Sequence, residues 1–496
     1  MLETGKDPIR PLYYSKIELQ PVDKGIYEPT IPWIEKFVEN AVPVSQKLVE
    51  LGVRKRISIL GEVGKLWQET LPYIEEKLIP VISRSTGYSP ENIRIDLEFI
   101  HHVFNENNLM RLLDTGLIGG WRSLDQPVEV DDGEFLWNRP VGSSLIISSG
   151  NTVIPAALPL ATSLATGNVT ILRPSSANYS VIAELYKAFS KVHEDKVDGA
   201  EEMMSALLIS YFAHDSKALD YILTKTRIGV VNYWGGDPGR KVIIEKISRN
   251  TFHPRLVING PLTGIALVDE DSASDELARK LAWDIVIYDQ QLCSSPSYVI
   301  FIGSTNKALE FAKVLGIFLD EVGALFPKKV GEGELYNFIS MRKRLEVEGA
   351  YVLYSKNLEN PWTIAVTSSW RRFNNNPYQF KNDWGFRKRF AEILVVENIG
   401  DLKTIISSLM EELANQGVDK FQTVAMSLND KNYASAISAL SLFGVYRIVP
   451  IGESFLRTPV EPYDGEFLPR YFTYSLYIRR KGKLLNIIKF SSGRTN

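Results

Sequence analysis

Residues 145–172 read LIISSGNTVIPAALPLATSLATGNVTIL. Leu145-Ile146-Ile147 is a short unbroken apolar run, the form of a strand buried on both faces. Asn151 to Ala165 reads as a helix closed by Gly167-Asn168, residues that a helix C-terminus favours. Val169-Thr170-Ile171-Leu172 is the next strand. Strand, helix and strand of these lengths predict a mostly parallel sheet covered by helices. Leu145 to Ala165 is also the most apolar long stretch of the chain, but Gly150, Asn151, Pro155 and Pro159 interrupt it. A membrane span needs about 20 mostly apolar residues, so no integral membrane segment is expected.

The same rhythm continues outward. Val181 to Val192 reads as a helix, and Ile228 to Tyr233 as a strand running into Gly235-Gly236, with a helix from about Gly239. A second alternating block follows: strand Ile265–Val268, helix Ser272–Ile287 with Ser272 or Ser274 as N-cap, strand Tyr298–Ile302 and helix Asn306–Leu319. Two looser segments, Lys328–Glu334 and the Asn-rich Phe373–Asp383, break this half. Towards the N-terminus, Ile31 to Asp114 is helical in pattern, with apolar residues three and four apart in Trp33-Ile34-Phe37-Val38 and Leu71-Ile74-Leu78-Ile79. Pro127 to Trp137 turns strand-like around Asp131-Asp132-Gly133, a turn signal. The fold class is α/β with a helical N-terminal region.

The chain has 496 residues, a soft prior of about three domains. Its 56 Lys+Arg against 59 Asp+Glu give a formal net charge of -3, which excludes a strongly basic nucleic-acid footprint. One cysteine excludes an intrachain disulfide framework and multi-cysteine metal sites, and five histidines argue against a His-rich cluster. Met1 to Asp7 contains no apolar run of the signal-peptide kind. A cytoplasmic protein with a reduced thiol is expected.

Several motifs have plain structural readings. Gly61-Glu62-Val63-Gly64-Lys65 has too few residues between its glycines for a phosphate loop, and Leu66 follows the lysine. Asp269-Glu270-Asp271 precedes a helix, whose positive end favours acids. His101 and His102 are adjacent on a helix and do not share a face, so they predict no metal site. Neither G-x-G-x-x-G nor G-x-S-x-G occurs.

The sole cysteine, Cys293, stands in Asp289-Gln290-Gln291-Leu292-Cys293-Ser294-Ser295-Pro296, a polar turn between a helix and a strand. Reactive groups are often placed at such element ends, and a thiolate there can attack an acyl carbon.

This run resembles the nucleophile motif of the aldehyde dehydrogenase superfamily and, more narrowly, of the fatty-acyl-CoA reductases of the LuxC type. Four further segments between Leu145 and Val396 match in order. Ser149-Gly150-Asn151 is similar to the segment whose Asn amide, with the Cys293 N–H, binds an oxyanion. Gly167 to Ser176 is similar to the cofactor strand ending Lys-Pro-Ser-Glu, with Arg173 at the Lys position and Ser176 at the Glu position. A guanidinium in place of a carboxylate favours a 2′-phosphate, hence NADP(H) over NAD(H). Tyr233 to Gly239 stands where the superfamily has a Gly-containing turn under the pyrophosphate, which points to Gly235 and Gly236. Phe390 to Val396 resembles the strand whose Glu holds the nicotinamide ribose, here Glu392. One departure matters: Val257 falls at about the position of the superfamily's general base. An acyl-enzyme without a base to activate water resists hydrolysis, which suits exchange with a thiol.

The resemblance implies an aldehyde-dehydrogenase-like fold. Its parts are a helical N-terminal region with a Rossmann-like NAD(P)-binding domain (1–258), a catalytic thiol domain (259–445) and a C-terminal return (446–496). The strand-like Tyr471–Ile478 in the return is expected to serve a homodimer or homotetramer. The implied activity is NADPH-dependent reduction of a fatty acyl-CoA to aldehyde through an acyl-cysteine, with coenzyme A as part of the substrate and an acyl-activating protein as a partner. The alternatives are a non-acylating NAD(P)-dependent aldehyde dehydrogenase, a thiol acyltransferase or a non-catalytic nucleotide-binding protein on the same scaffold.

Overall fold

In the computed structural model the described residues are 8–480, apart from 24, 329, 368–387, 416 and 419. The Asn-rich run Phe373–Asp383 lies outside them. Two parallel sheets dominate. The first has five strands: Ser143–Ile147, Val169–Arg173, Leu207–Ile209, Val230–Trp234 and Arg255–Asn259. In space the third strand of this set is followed by the second, first, fourth and fifth, all paired in parallel. The order therefore reverses beside Ser143–Ile147, where open α/β sheets bind ligands outside their carboxyl ends. The helix after that first strand is Ile154–Ala165, shorter than Asn151–Ala165, because residues 148–153 form the loop at the reversal.

The second sheet has seven strands, in the spatial order Tyr351–Tyr354, Thr363–Thr367, Phe390–Val396, Pro296–Ile302, Thr263–Asp269, Phe421–Ser427 and Arg447–Pro450. Only the first pair is antiparallel. Its two faces carry separate apolar cores, one around Leu281, Leu315 and Ile393, the other around Ile300, Leu409 and Val424. Helix Asp275–Val286 is capped by Ser274, whose hydroxyl accepts from Leu277 N–H at 3.2 Å. The acidic run proves structural: buried Asp269 accepts from Ser272 and Asn429 N–H and from the Asn432 amide. Helix Glu332–Val347 takes up the end of the segment expected to be loose from Lys328 to Glu334.

The N-terminal third is helical, led by Val53–Thr86, which carries Gly61 to Lys65 in its interior. Buried Trp67, Leu71, Ile74 and Leu78 face the same core as the first sheet, and Ile287 and Tyr288 reach into that core from the second. The region around Pro127–Trp137 is a hairpin, Val128–Asp131 and Glu134–Pro140, turning at Gly133 with φ 69°. The C-terminal strand Thr473–Arg479 pairs antiparallel with Glu134–Pro140. No described helix is long and apolar enough to cross a membrane.

Arg56 ties the helical layer to the first sheet. It is fully buried and donates from Nε to the Ala165 carbonyl at 2.9 Å and from Nη1 to the Leu48 carbonyl at 2.7 Å. Both are last-turn carbonyls of helices, which lack intrahelical donors. Arg56→Met should leave both without their donor and destabilise the fold by about 2–4 kcal/mol. Urea unfolding would measure this, and an unchanged midpoint would contradict it.

Candidate active site

Cys293 sits half-buried just after the short helical turn Ile287–Gln290 and just before strand Pro296–Ile302. The chain reaches it through three consecutive non-glycine residues in the left-handed region: Tyr288 at φ 51°, Asp289 at 49° and Gln290 at 63°. Such residues cost on the order of 1–2 kcal/mol each, so the surroundings must hold them. Tyr288 N–H donates to Asn92 Oδ1 at 2.9 Å. The Asp289 carboxylate accepts from buried Arg389 at 2.9 Å. The Gln290 amide donates to the Pro296 and Phe390 carbonyls at 2.6 and 2.5 Å and accepts from Phe390 N–H at 2.8 Å. Arg389 is itself fastened to Asn360 and to the Phe326 carbonyl.

Asn151 lies on the loop at the reversal of the first sheet. Its Oδ1 accepts from the Ser149 hydroxyl at 2.8 Å, which turns Nδ2 towards the Gln291 carbonyl at 3.3 Å, two residues before the cysteine. The loop is pinned by the Asn178 amide, which donates to the Ser149 and Thr152 carbonyls. Val153 N–H donates to both oxygens of Asp96, at 3.1 and 2.9 Å. Asp96 also accepts from the Tyr288 hydroxyl at 3.4 Å. One carboxylate thus joins the Asn151 loop to the approach to Cys293.

Cys293, Asn151, Gly235 and Gly236 line one cavity of 420 Å³, within the usual size for small-molecule sites. Gly235 has φ 155°, a backbone conformation that favours glycine, and a Cβ there would stand 2.9 Å from the Tyr233 hydroxyl. Another wall is apolar, built by Phe99, Val103, Leu109, Leu112, Ile154 and Leu158 from three helices. His102 lines the cavity as well, whereas His101 turns away to the Gly64 carbonyl at 3.2 Å. Among the described residues no cluster of potential metal ligands occurs.

The other sequence candidates stand outside that lining. Arg173 ends its strand and donates from Nε and Nη2 to the Phe212 carbonyl, at 3.1 and 3.0 Å. Ser176 is exposed on the following loop, which touches the Asn151 loop: Ser175 N–H donates to Ser148 Oγ at 3.2 Å. Glu392 is 2% exposed inside its strand, between Tyr298 and Ala365. Val257 is buried in strand Arg255–Asn259. Burial pushes the Cys293 thiol up to about 11, and the Asp464 charge adds to this; the Leu262 and Cys293 N–H groups and the Arg457 charge pull the other way.

The sequence reading did not single out Asn92, Asp96, Arg389 or Asp464. Asn92 and Asp96 had a signal: they are four apart on a helix, flanking Ile93 and Leu97 on the same stripe, so polar groups interrupt an apolar face. Arg389 and Asp464 carry no local signal.

A family model described as acyl-CoA reductase (LuxC) matches residues 48–472. A long-chain acyl-protein thioester reductase of Aliivibrio fischeri is 21% identical over 405 residues, covering 82% of this chain and 79% of its own. Among solved structures, aldehyde dehydrogenase 21 of Physcomitrella patens, in complex with the reaction product succinate, superposes with TM-score 0.66 at 13% identity, over 93% of this chain and 94% of its own. A glyceraldehyde-3-phosphate dehydrogenase of Methanocaldococcus jannaschii, complexed with NADP, gives 0.65 at 15% identity, over 97% and 100%. The fold is that of the aldehyde dehydrogenases.

Burial pushes the Asp96 carboxyl from 3.8 up to about 7, against the bonds from Val153 N–H and the Tyr288 hydroxyl. The folded protein then holds a proton that the unfolded chain releases near 3.8. Its contribution to stability is full below that value and is lost as pH rises through about 7. Urea unfolding across this window should give a falling stability that is flatter in Asp96→Asn; equal slopes in both proteins would contradict the assignment.

Proposed function

The chain belongs to the acyl-CoA reductase (LuxC) family, and from that premise we propose that it reduces a long-chain acyl thioester to the aldehyde with NADP(H), through an acyl group carried on Cys293. The observation that carries this reading is one cavity in which the chain's lone cysteine, an amide donor and a two-glycine turn meet an apolar wall of three helices. An aliphatic chain buried along that wall gains roughly 0.8 kcal/mol per methylene. A charged or strongly polar acyl group would lose its hydration there.

The sequence resemblance implies acyl-CoA as the donor. The name of the Aliivibrio fischeri relative moves the expectation to an acyl group carried on a protein thiol. Both are thioesters and present the same carbonyl to Cys293. A protein donor also fits the expected acyl-activating partner.

The chain's residues fit NADP(H). Arg173 and Ser176 would hold the adenosine side: the guanidinium ends the strand, and no carboxylate stands at 176 to repel a 2′-phosphate. Gly235 and Gly236 would admit the pyrophosphate to the turn before helix Gly239–Ser248. Glu392, on the strand Phe390–Val396 that resembles the superfamily's, would hold the nicotinamide ribose. When bound, NADPH supplies the hydride that reduces the acyl group.

The protein's own part is acyl transfer. Cys293 Sγ attacks the thioester carbonyl. The Asn151 amide and the Cys293 N–H stabilise the charge that develops on oxygen. The departing thiol leaves the acyl group on sulfur. Val257 offers no base to activate water, which supports reduction over hydrolysis to the acid and disfavours simple aldehyde oxidation.

NADPH consumption with a panel of acyl-CoAs and acylated protein thiols should depend on the acyl donor and vanish in Cys293→Ala. Acylation of Cys293 without NADPH consumption would favour the acyltransferase reading, and neither event would sink the thioester chemistry. Arg173→Gln should raise the NADPH KM about tenfold or more while changing the NADH KM little. Equal effects on both would remove the 2′-phosphate role.

A further inference from the structure

The return segment after strand Arg447–Pro450 folds over the cavity and brings two carboxylates to its wall, Glu461 and Asp464. Glu461 is neutralised by Arg447 at 2.7 Å and Arg457 at 3.7 Å. Asp464 is held differently. Tyr463 and Glu466 exchange backbone bonds at 2.7 and 3.1 Å, so Asp464 and Gly465 form a two-residue turn with φ 48° and 86°. Asp-Gly is a favoured pair for such a turn. The Asp464 carboxylate accepts from neutral donors, the Gln422 amide at 2.6 Å and the Asn259 amide at 3.2 Å. Among the described residues no salt bridge neutralises it.

Asn259 ends the strand that carries Val257, so the carboxylate hangs over a strand end that offers no base of its own. Asp464 also exerts the largest charge effect on the Cys293 thiol. Cys293 and Asp464 line the same cavity, and burial raises the proton affinity of both groups. The other charged or titratable groups facing Asp464 are Arg457, Tyr463 and Tyr471, with Glu461 and His102 elsewhere on the cavity wall.

We propose that Asp464 accepts the proton of the Cys293 thiol and returns it to the thiolate that leaves the acyl donor. The S–H bond of Cys293 breaks as an O–H bond forms on Asp464. The Cys293 S–C bond forms as the donor's C–S bond breaks. The departing sulfur then takes the proton from Asp464, and nothing is oxidised or reduced in this exchange. The assignment deepens the thioester reductase reading and rests on it.

The test uses the full chain with NADPH, tetradecanoyl-CoA and a tetradecanoyl-protein thioester, over a range of pH. Asp464→Asn should slow reduction by about 10²-fold or more and remove the acid limb of the profile. Alkylation of Cys293 by iodoacetamide, read by mass on the chain's only cysteine, should shift to lower pH in the same variant, because a negative neighbour is gone. Gln422→Met removes a donor to the carboxylate and should move the acid limb to higher pH. A rate within about threefold of wild type, an acid limb unmoved in Gln422→Met, or a slow variant whose alkylation profile is unchanged would each overturn the role of Asp464 and leave the reductase reading standing. A wild-type protein that neither reduces these thioesters nor becomes acylated on Cys293 would overturn both.

Discussion

The backbone conformation of Tyr288, Asp289 and Gln290 is the constraint on which the site depends. Three left-handed residues in succession swing the chain out of helix Asp275–Val286 and present Cys293 at the mouth of strand Pro296–Ile302. The Cβ of an L-residue crowds the following carbonyl in this conformation, and the chain accepts it only where the surroundings over-determine it. Here the supports come from three directions: Asn92 from the helical layer, Arg389 and Phe390 from the neighbouring strand, and the Pro296 carbonyl from the strand ahead. Removing any one support leaves a buried polar group unpaired as well as a strained turn.

The same supports explain why the two sheets act as one site. The Asn151 loop belongs to the first sheet and the thiol to the second. They meet through Asn151 on the Gln291 carbonyl and through Asp96, which holds Val153 and Tyr288 together. The N-terminal helices do two jobs here. They carry Asn92 and Asp96 on one stripe, and two of them supply apolar residues to the cavity wall. Part of the apolar cavity wall and the hold on the approach to Cys293 are therefore built from the same helix, Pro90–Val103.

Much of the fold was legible because its signals are local. Buried strands such as Leu145–Ile147 and helices with a regular apolar stripe declare themselves within a few residues, and the parallel βα rhythm follows from their alternation. The shorter edge elements were not legible. Leu207–Ile209 is three residues long, and Tyr351–Tyr354 is half exposed, so neither shows a pattern distinct from a loop. The N-terminal limit of helix Ile154–Ala165 was misplaced because residues 148–153 are held in a loop by Asn178 and Asp96, contacts from distant parts of the chain.

The sequence by itself determined the α/β class, the single thiol, the Gly235-Gly236 turn and the arginine at the end of strand Val169–Arg173, because each depends on one residue's chemistry or on a short-range pattern. Only the tertiary structure decided which carboxylates matter. Asp269, in the most acidic-looking cluster, is spent on the Asn429 N–H and the Asn432 amide at the start of helix Asp430–Leu440. Asp96 faces the approach to Cys293, and Asp464 lines the same cavity as the thiol. A carboxylate's role follows from its distance to other charges and donors and from how much water it has lost, and both are set by the packing of segments far apart in the chain.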